Sequence, residues 1–208
     1  DFWVSRVTRN DDGSYSICNV VGADEYANGV DDNAFTNGAA IRALEYACEA
    51  ARICNEPVPE IWKEVGKGIR ILRFKDGVTR EHATYNGEMI KQADVNLLGY
   101  PLYFVGDAES QKKDMEYYVD KIDPQNGPAM SYSVFCVQYA RMGDAKRAYE
   151  MFCRCYQPNL RAPFGVLAET PTSDNPYFMT GAGGLLQAVI NGFCGLQITD
   201  GGVEQLSS

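Results

Sequence analysis

The chain has 208 residues, which is enough for one well-buried domain, and its apolar and charged fractions are ordinary for a globular protein. Acidic residues outnumber basic ones by 28 to 19, so the net charge is −9. This balance argues against a nucleic-acid partner, whose phosphates need a basic face, and against an anionic membrane surface. No apolar run approaches the roughly 20 residues that cross a bilayer. A neutral small molecule is the class of ligand that fits best.

The N-terminal third is predicted to contain a short β-hairpin followed by two helices. Residues 2–8 and 15–21 alternate like strands on either side of an Asn-Asp-Asp-Gly turn. From Asn37 the apolar residues follow helical spacing until about residue 55. A second helix is predicted to begin near Pro59 and to include Ile69 and Leu72 on its apolar face.

The rest of the chain predicts further helices separated by long loops. These comprise a short buried helix at residues 97–102, amphipathic helices at residues 110–122, 130–141 and 144–156, and a nearly all-apolar helix at residues 183–193. We expect the last one to be fully buried, because it is apolar on nearly every side. A strand and a turn follow at residues 196–202. The pattern predicts a mainly α fold in which the loops carry a site on one rim.

The seven cysteines are an odd number and favour free thiols over a disulfide scaffold. Cys153 and Cys155 have the residue type of metal ligands, but the single histidine and the lack of a second cysteine pair argue against a metal site. No organic cofactor is implied. The sequence shows neither a glycosylation sequon nor a signal peptide, which favours a cytoplasmic over a secreted location. Since the chain opens on a strand-like run without Met, we expect it to be part of a longer protein.

Two adjacent carboxylates, Asp24 and Glu25, lie between Gly22 and Tyr26. Successive side chains of an extended backbone point to opposite faces, so one of the two can face a cleft while the other anchors the loop. The polar run that follows includes Asn33 next to a helix start, where amides cap free backbone donors. A carboxylic acid backed by amide and hydroxyl groups is typical of carbohydrate chemistry. A solvated acidic loop that ends in a helix cap is an equally good interpretation of these residues.

Two further loops contain candidate functional groups. Lys91 and Gln92 stand side by side and can donate to sugar hydroxyls, although an exposed first turn of a helix is the simpler interpretation. Glu169 is a lone carboxylate after an apolar run, where partial desolvation would raise its pKa towards a catalytic role. A helix-capping Glu is the alternative there.

The order of four motifs resembles glycoside hydrolase family 65. They are residues 22–26 (GADEY), residues 32–37 (DNAFTN), residues 91–94 (KQAD) and the glycine-rich residues 181–193. That family contains phosphorylases of α-linked glucose disaccharides, acid trehalases and a glucosidase acting on glucosylgalactosyl-hydroxylysine. The resemblance implies that residues 1–208 form the C-terminal portion, about half, of the family's catalytic (α/α)6 barrel. It also implies that the upstream half is missing and must be supplied by another segment or by a second copy.

The resemblance assigns roles to the candidate residues. It implies that Glu25 is the general acid and that Lys91 and Gln92 contact the glucose at the cleaved linkage. Asp24, Tyr26 and Asn33 are then expected to help bind substrate. The histidine of the phosphorylases' phosphate site is absent from residues 127–133. Glu169 is present instead, as in the hydroxylysine-glycan glucosidase branch.

These roles predict an inverting glycoside hydrolase that removes a terminal α-linked glucose from a disaccharide or short glycoside, of the trehalose, kojibiose or glucosyl-galactose type. Glu169 would be the base that activates water, about 6.5–9.5 Å from the acid. We expect burial or the neighbouring Asp24 to raise the pKa of the acid, Glu25. The alternatives are a phosphate-dependent disaccharide phosphorylase of the same family and a non-catalytic fragment that only binds sugar.

Overall fold

A computed structural model describes residues 1–104 and 107–206 and has a mainly helical architecture, as predicted. The helices are α1 (Phe2–Arg6), α2 (Ala34–Ile53), α3 (Glu60–Gly68), α4 (Ala108–Tyr118), α5 (Met130–Arg141), α6 (Ala145–Arg154) and α7 (Met179–Gln187). Single 3₁₀ turns occur at Val95–Leu98 and Gln157–Asn159, and α7 continues into a π-helical segment, Ala188–Phe193. No helix in the described ranges has the length and apolar character that crossing a membrane requires.

Three small antiparallel strand pairs accompany the helices. They are β1 (Val7–Arg9) with β2 (Tyr15–Ile17), β3 (Leu160–Arg161) with β4 (Val166–Leu167), and β5 (Leu196–Thr199) with β6 (Gly202–Gln205). The predicted N-terminal hairpin is therefore confirmed, although its strands are shorter than the alternating pattern indicated. The predicted C-terminal strand and turn are confirmed as well.

Two apolar clusters hold the helices together. The first packs the buried face of α2, including Ile41 and Leu44, against Val65 of α3 and against Ile17 of the hairpin. The second is centred on Phe135 of α5 and contains residues of α4, α6 and the π-helical segment. The seven cysteines are all free thiols, as expected, and Cys136 and Cys155 are buried in this part of the molecule.

The first residues form a helix, so the prediction of a strand at residues 2–8 is wrong for its first part. Trp3 and Val4 are neighbours in sequence, and both pack against the cluster around α2. A strand would point them to opposite faces, whereas one helical turn allows both to contact the same core. The indole N–H of Trp62 also donates to the Asp1 carboxylate at 2.9 Å, which ties this turn to α3.

The apolar C-terminal helix is not fully buried, contrary to its sequence pattern. Its small residues face α5, and a Cβ added to Gly184 would lie 2.5 Å from Ser133 Oγ. The backbones therefore approach closely, and the large side chains are left on the opposite face, where Leu186 is 62% exposed. Ile190 and Phe193 are exposed on the same element.

Three other helix predictions differ from the structure in extent. The helix from Pro59 ends at Gly68, where the following Ile69 is extended and pairs with Tyr15. The buried helix expected at residues 97–102 is the shorter 3₁₀ turn Val95–Leu98, and the amphipathic helix at residues 110–122 is α4, which ends earlier. Helix ends such as these depend on tertiary contacts that periodicity does not contain.

A buried ion pair connects the loop after the hairpin to the end of α3. The carboxylate of Asp32 is fully buried and accepts hydrogen bonds from Arg70 Nη2 at 2.6 Å and Arg70 Nε at 2.9 Å. Ser16 and Asn37 donate to the same carboxylate. The Arg70 side chain is 38% exposed, so its own desolvation cost is limited.

We predict that Arg70→Met lowers the free energy of unfolding by about 2–3 kcal/mol, because it leaves the Asp32 carboxylate buried without its cation. This value is at the low end for a buried pair since Arg70 is partly solvated. Urea unfolding measures the effect. Arg52→Met, at an exposed position of α2, is the matched control and should change stability by less than about 0.5 kcal/mol. Equal losses in both variants would contradict the assignment.

Candidate active site

Three separate loops bring Glu25, Lys91 and Glu169 together. The Lys91 ammonium forms an ion pair with Glu25 Oε2, and it lies 3.8 Å from Glu169 Oε1. The sequence separates these residues by more than half of the chain, so only the fold creates their proximity. One ammonium group therefore faces both carboxylates, so the two can act on the same bound molecule.

The two adjacent carboxylates of the first loop have different environments. Asp24 is 2% exposed, and its Oδ1 accepts hydrogen bonds from the backbone N–H of Lys91 at 2.7 Å and of Tyr26 at 3.2 Å. The Glu25 side chain is 59% exposed and points to Lys91. Asp24 is therefore the anchor of the loop and Glu25 the accessible member. Burial was one of the two influences expected to act on Glu25, and in this structure it falls on Asp24 instead.

Asn33 and Asp94 form the buried floor beneath this loop. Asn33 Oδ1 caps α2 by accepting from Thr36 N at 2.8 Å, and its Nδ2 donates to both oxygens of Asp94 at 3.0 Å. A Cβ on Gly22 would lie 2.3 Å from Asn33 Nδ2, so only glycine allows the loop to pass this close. Asn33 is fully buried here and supports the loop instead of facing a substrate.

Tyr26 and Gln92 also hold the loop in place. The Tyr26 hydroxyl donates to Asp123 Oδ2 at 2.7 Å, while its ring remains half exposed. Gln92 Nε2 donates to the carbonyl of Ala23. Lys91 and Gln92 precede the 3₁₀ turn Val95–Leu98 and belong to a loop, not to the first turn of a helix. Their side chains thus contact the acidic loop directly, and any contact with sugar remains a prediction.

Glu169 lies on a loop whose backbone is fixed by other residues. Its carbonyl accepts hydrogen bonds from Asn159 Nδ2 at 3.0 Å and from Ala129 N at 3.1 Å. Arg161 donates to three carbonyls of the following segment, those of residues 170, 171 and 173. Helix α7 begins ten residues further on, so Glu169 does not cap a helix.

Two buried carboxyl groups near the loop were not among the predicted site residues. Burial raises the pKa of Glu81 to about 9, with the nearby Asp94 and Asp24 adding to the effect. Burial also raises the pKa of Asp94 to about 6, although hydrogen bonds from Asn33 and backbone N–H groups oppose this shift. Asp94 is part of the KQAD motif, which could have indicated it. Glu81 lies in a polar loop without any local signal.

A cavity of about 400 Å³ opens beside the two loops that contain Ala23 and Gln92. Its walls include Ala23, Gln92, Tyr100, Ser131 and Gln187. The size is that of a small-molecule site, and the mixture of apolar and amide groups suits a sugar ring. A slightly larger cavity between α2 and α3 contains none of the predicted site residues, so we assign it no role in the chemistry. No three His, Cys, Asp or Glu side chains are grouped for metal binding in residues 1–104 and 107–206.

Comparison with known proteins points to one family. The Glycosyl hydrolase family 65 central catalytic domain profile matches residues 1–67. A kojibiose hydrolase of Mucilaginibacter mallensis is 49% identical over 208 residues, which are 100% of this chain and 31% of that protein. A protein-glucosylgalactosylhydroxylysine glucosidase of Danio rerio is 37% identical over 204 residues, 95% of this chain and 30% of that protein.

A solved structure described as a candidate kojibiose phosphorylase from the human microbiome has the same fold over this region. The two structures superpose with a TM-score of 0.71 at 19% sequence identity. The superposed region is 96% of this chain and 31% of the other one. The chain thus spans about 30% of the length of the three proteins named here. The profile match and the two sequence matches indicate the same class of protein, the glycoside hydrolases. Within that class, glycoside hydrolase family 65 is the family whose central catalytic domain residues 1–67 match.

We predict that Gly22→Ala lowers the free energy of unfolding by about 1–3 kcal/mol, because the new Cβ overlaps the buried Asn33–Asp94 pair. Gly183→Ala is the control, since Gly183 is an exposed helical residue with no atom within 4 Å of an added Cβ. That variant should be stabilised by about 0.5–1 kcal/mol. Urea unfolding of both proteins tests the pair, and a neutral Gly22→Ala would contradict the described packing.

Proposed function

We propose that this chain carries the catalytic residues of an inverting glycoside hydrolase that cleaves a terminal α-linked glucose from a disaccharide or short glycoside. The observation that carries the proposal is the contact of one ammonium group, that of Lys91, with both Glu25 and Glu169. The names of the relatives support it, since the most similar ones reported above are a kojibiose hydrolase and a glucosidase. Substrates of the kojibiose or glucosyl-galactose type are consistent with these names, and the trehalose type is proposed from the sequence resemblance alone.

In the proposed reaction Glu25 donates a proton to the glycosidic oxygen while the bond from that oxygen to the anomeric carbon breaks. Glu169 takes a proton from a water molecule, whose oxygen forms the new bond from the opposite face of the sugar. A single displacement converts the α-linked glucose into β-glucose. The aglycone leaves as an alcohol, so all atoms and charges are accounted for without a metal or organic cofactor.

Lys91 has a second proposed task, which is to exchange partners when sugar binds. Glucose hydroxyls would compete for the ammonium protons, so Lys91 would release the Glu25 side chain as the sugar binds. Glu25 could then turn to the glycosidic oxygen, while the bound sugar excludes water from the site.

Three features argue against phosphate as the nucleophile. Residues 127–133 contain no histidine. The serine hydroxyls of this segment are engaged by the backbone, because Ser133 donates to the Met130 carbonyl at 2.6 Å and Ser131 accepts from Ala93 N at 3.1 Å. Ala129 N binds the carbonyl of Glu169, so a carboxylate-bearing residue adjoins this segment, and its charge would repel phosphate.

We also infer that the helices belong to the C-terminal portion of an (α/α)6 barrel. Short connections join α2 to α3 and α5 to α6, as in stacked helix pairs. The exposed apolar face that includes Leu186, Ile190 and Phe193 supports this inference. Such a face needs a cover, which further helices of the barrel or a second copy would provide.

The decisive test has two parts: the stereochemistry of the first product, and the dependence of the turnover rate on Glu25 and Glu169. Proton NMR of the purified protein acting on α-glucosyl fluoride, whose leaving group is not a sugar, should detect β-glucose first, and phosphate should not accelerate turnover of kojibiose or trehalose. Glu25→Gln should lower kcat by about 10²–10⁴-fold on the disaccharide and much less on α-glucosyl fluoride, whose leaving group needs no proton. Glu169→Gln should abolish turnover of both substrates.

Each alternative has its own result in that experiment. Phosphate-dependent formation of glucose 1-phosphate would replace the proposal by a phosphorylase, and initial α-glucose from α-glucosyl fluoride would exclude inversion. Binding of glucose without turnover of any substrate would indicate a sugar-binding chain.

We predict that Lys91→Ala weakens binding of glucose or a glucose-like inhibitor by about tenfold or more, because it removes a charged hydrogen-bond donor. The melting temperature should change little, since the Lys91 side chain pairs with an exposed carboxylate. Calorimetric titration and thermal unfolding measure the two effects. Lys112→Ala, at an exposed position of α4, serves as the control and should bind normally. Intact binding with a large loss of stability would show that Lys91 is purely structural.

A further inference from the structure

Three carboxyl groups are buried together beneath the loop that carries Glu25. They belong to Asp24, Glu81 and Asp94, which are each at most 2% exposed. In the part of the chain that the structure describes, no lysine or arginine forms an ion pair with any of them. Three buried carboxylates without a cation cannot all be ionised, because the desolvation cost and their mutual repulsion are too large.

The hydrogen bonds show which of the three are ionised. Asp94 Oδ2 accepts from Ala23 N at 2.7 Å, and both Asp94 oxygens accept from the Asn33 amide at 3.0 Å. Asp24 Oδ1 accepts from two backbone N–H groups, of which that of Lys91 is 2.7 Å away. Hydrogen-bond donors of this kind stabilise a carboxylate. Asp24 and Asp94 are therefore the groups that the structure is built to keep ionised.

Glu81 has the opposite environment. Neither of its carboxyl oxygens accepts a hydrogen bond from any donor of the described residues, although both are completely buried. Its carboxyl group lies within hydrogen-bond reach of the Asp24 carboxyl group. Two carboxyl groups in contact are stable only when one of them carries a proton and donates it to the other. The proton belongs on Glu81, since Glu81 has no donors that would support a negative charge.

We propose that Glu81 is a positioning residue, a neutral carboxylic acid whose O–H donates to the Asp24 carboxylate and so fixes the loop that presents Glu25. Asp24 in turn accepts from the backbone of Lys91, so one proton links the acidic loop to the loop that carries the cation. The effect on catalysis rests on the function proposed above, in which Glu25 is the acid. The protonated state of Glu81 does not.

The remaining polar groups around Glu81 leave it as a neutral acid. The hydroxyl of Tyr85 donates to the Glu88 carbonyl at 2.7 Å, and that of Tyr118 donates to the Thr79 carbonyl at 2.8 Å, so neither phenol donates to Glu81. The Glu88 carboxylate adds negative charge nearby. Burial lowers the pKa of the adjacent His82, which leaves that ring neutral at pH 7.

The stability of the protein should depend on pH through this group. The pKa of Glu81 rises from 4.5 to about 9 in the folded state. The unfolded chain therefore loses a proton above pH 4.5 that the folded protein keeps until about pH 9. Between these values the unfolding constant of the wild type should increase, relative to that of Glu81→Gln, by up to about tenfold per pH unit. Urea unfolding of both proteins from pH 5 to pH 9 measures this ratio, and parallel curves would overturn the proposal.

Infrared spectroscopy gives a readout that requires no activity. At pH 7 the wild type should show the C=O stretch of a protonated carboxylic acid, and Glu81→Gln should lack it. Glu81→Leu has a similar volume but no donor, and its kcat should be about 10- to 100-fold below that of Glu81→Gln, whose amide still donates to Asp24. Equal kcat values for Gln and Leu would overturn the positioning role. If Glu25→Gln leaves turnover unchanged while the infrared band persists, the proposed function fails and the protonated Glu81 stands.

Discussion

The site depends on one constraint, which is the burial of carboxylate groups that have backbone N–H and amide donors as partners instead of cations. Asp94 and Asp24 use their oxygens to hold the backbone of residues 22–26 and 91 in one arrangement. Charge-assisted hydrogen bonds of this kind are short and directional, and they are not screened by solvent when they are buried. Without them, the loops of Glu25 and Lys91 would be joined only by less buried contacts, which are the Gln92–Ala23 hydrogen bond and the Lys91–Glu25 ion pair.

The accessible charges form a second layer above this buried one. Lys91 belongs to both layers, because its backbone N–H binds Asp24 and its ammonium group binds Glu25. The same ammonium group faces Glu169. The backbone of Lys91 is therefore fixed, while its ammonium group can change partners. This division suits a group that neutralises two carboxylates and then contacts sugar hydroxyls.

Much of the fold could be predicted from the sequence because helical periodicity is a local property. The helices at residues 37–55, 130–141 and 144–156 were predicted nearly at their true bounds. The turn at Phe2–Arg6 and the exposure of Leu186 were not, since both depend on which surface packs against the segment. Periodicity indicates that a helix is apolar, but it does not indicate that glycines will bring one face close to α5.

The residues of the candidate site could be predicted only where they belong to a recognisable sequence motif or loop pattern. Glu25, Lys91 and Glu169 were selected from the sequence, and the structure brings them together. Asn33 was expected to cap the helix and to help bind substrate; the cap is confirmed, but the side chain is fully buried and supports the loop. Glu81 has no sequence signal, because a buried acid in a polar loop is indistinguishable from a solvated one until its neighbours are known.

The support of Glu169 has an evolutionary consequence. Asn159, Ala129 and Arg161 fix its loop by binding main-chain carbonyls. The conformation of the loop therefore does not depend on the Glu169 carboxylate. A mutation at this position would exchange the carboxylate that we propose as the base without rebuilding the loop. Sites with this property can diverge in chemistry by a single codon change, whereas a site whose reactive group also holds its own backbone would lose the fold first.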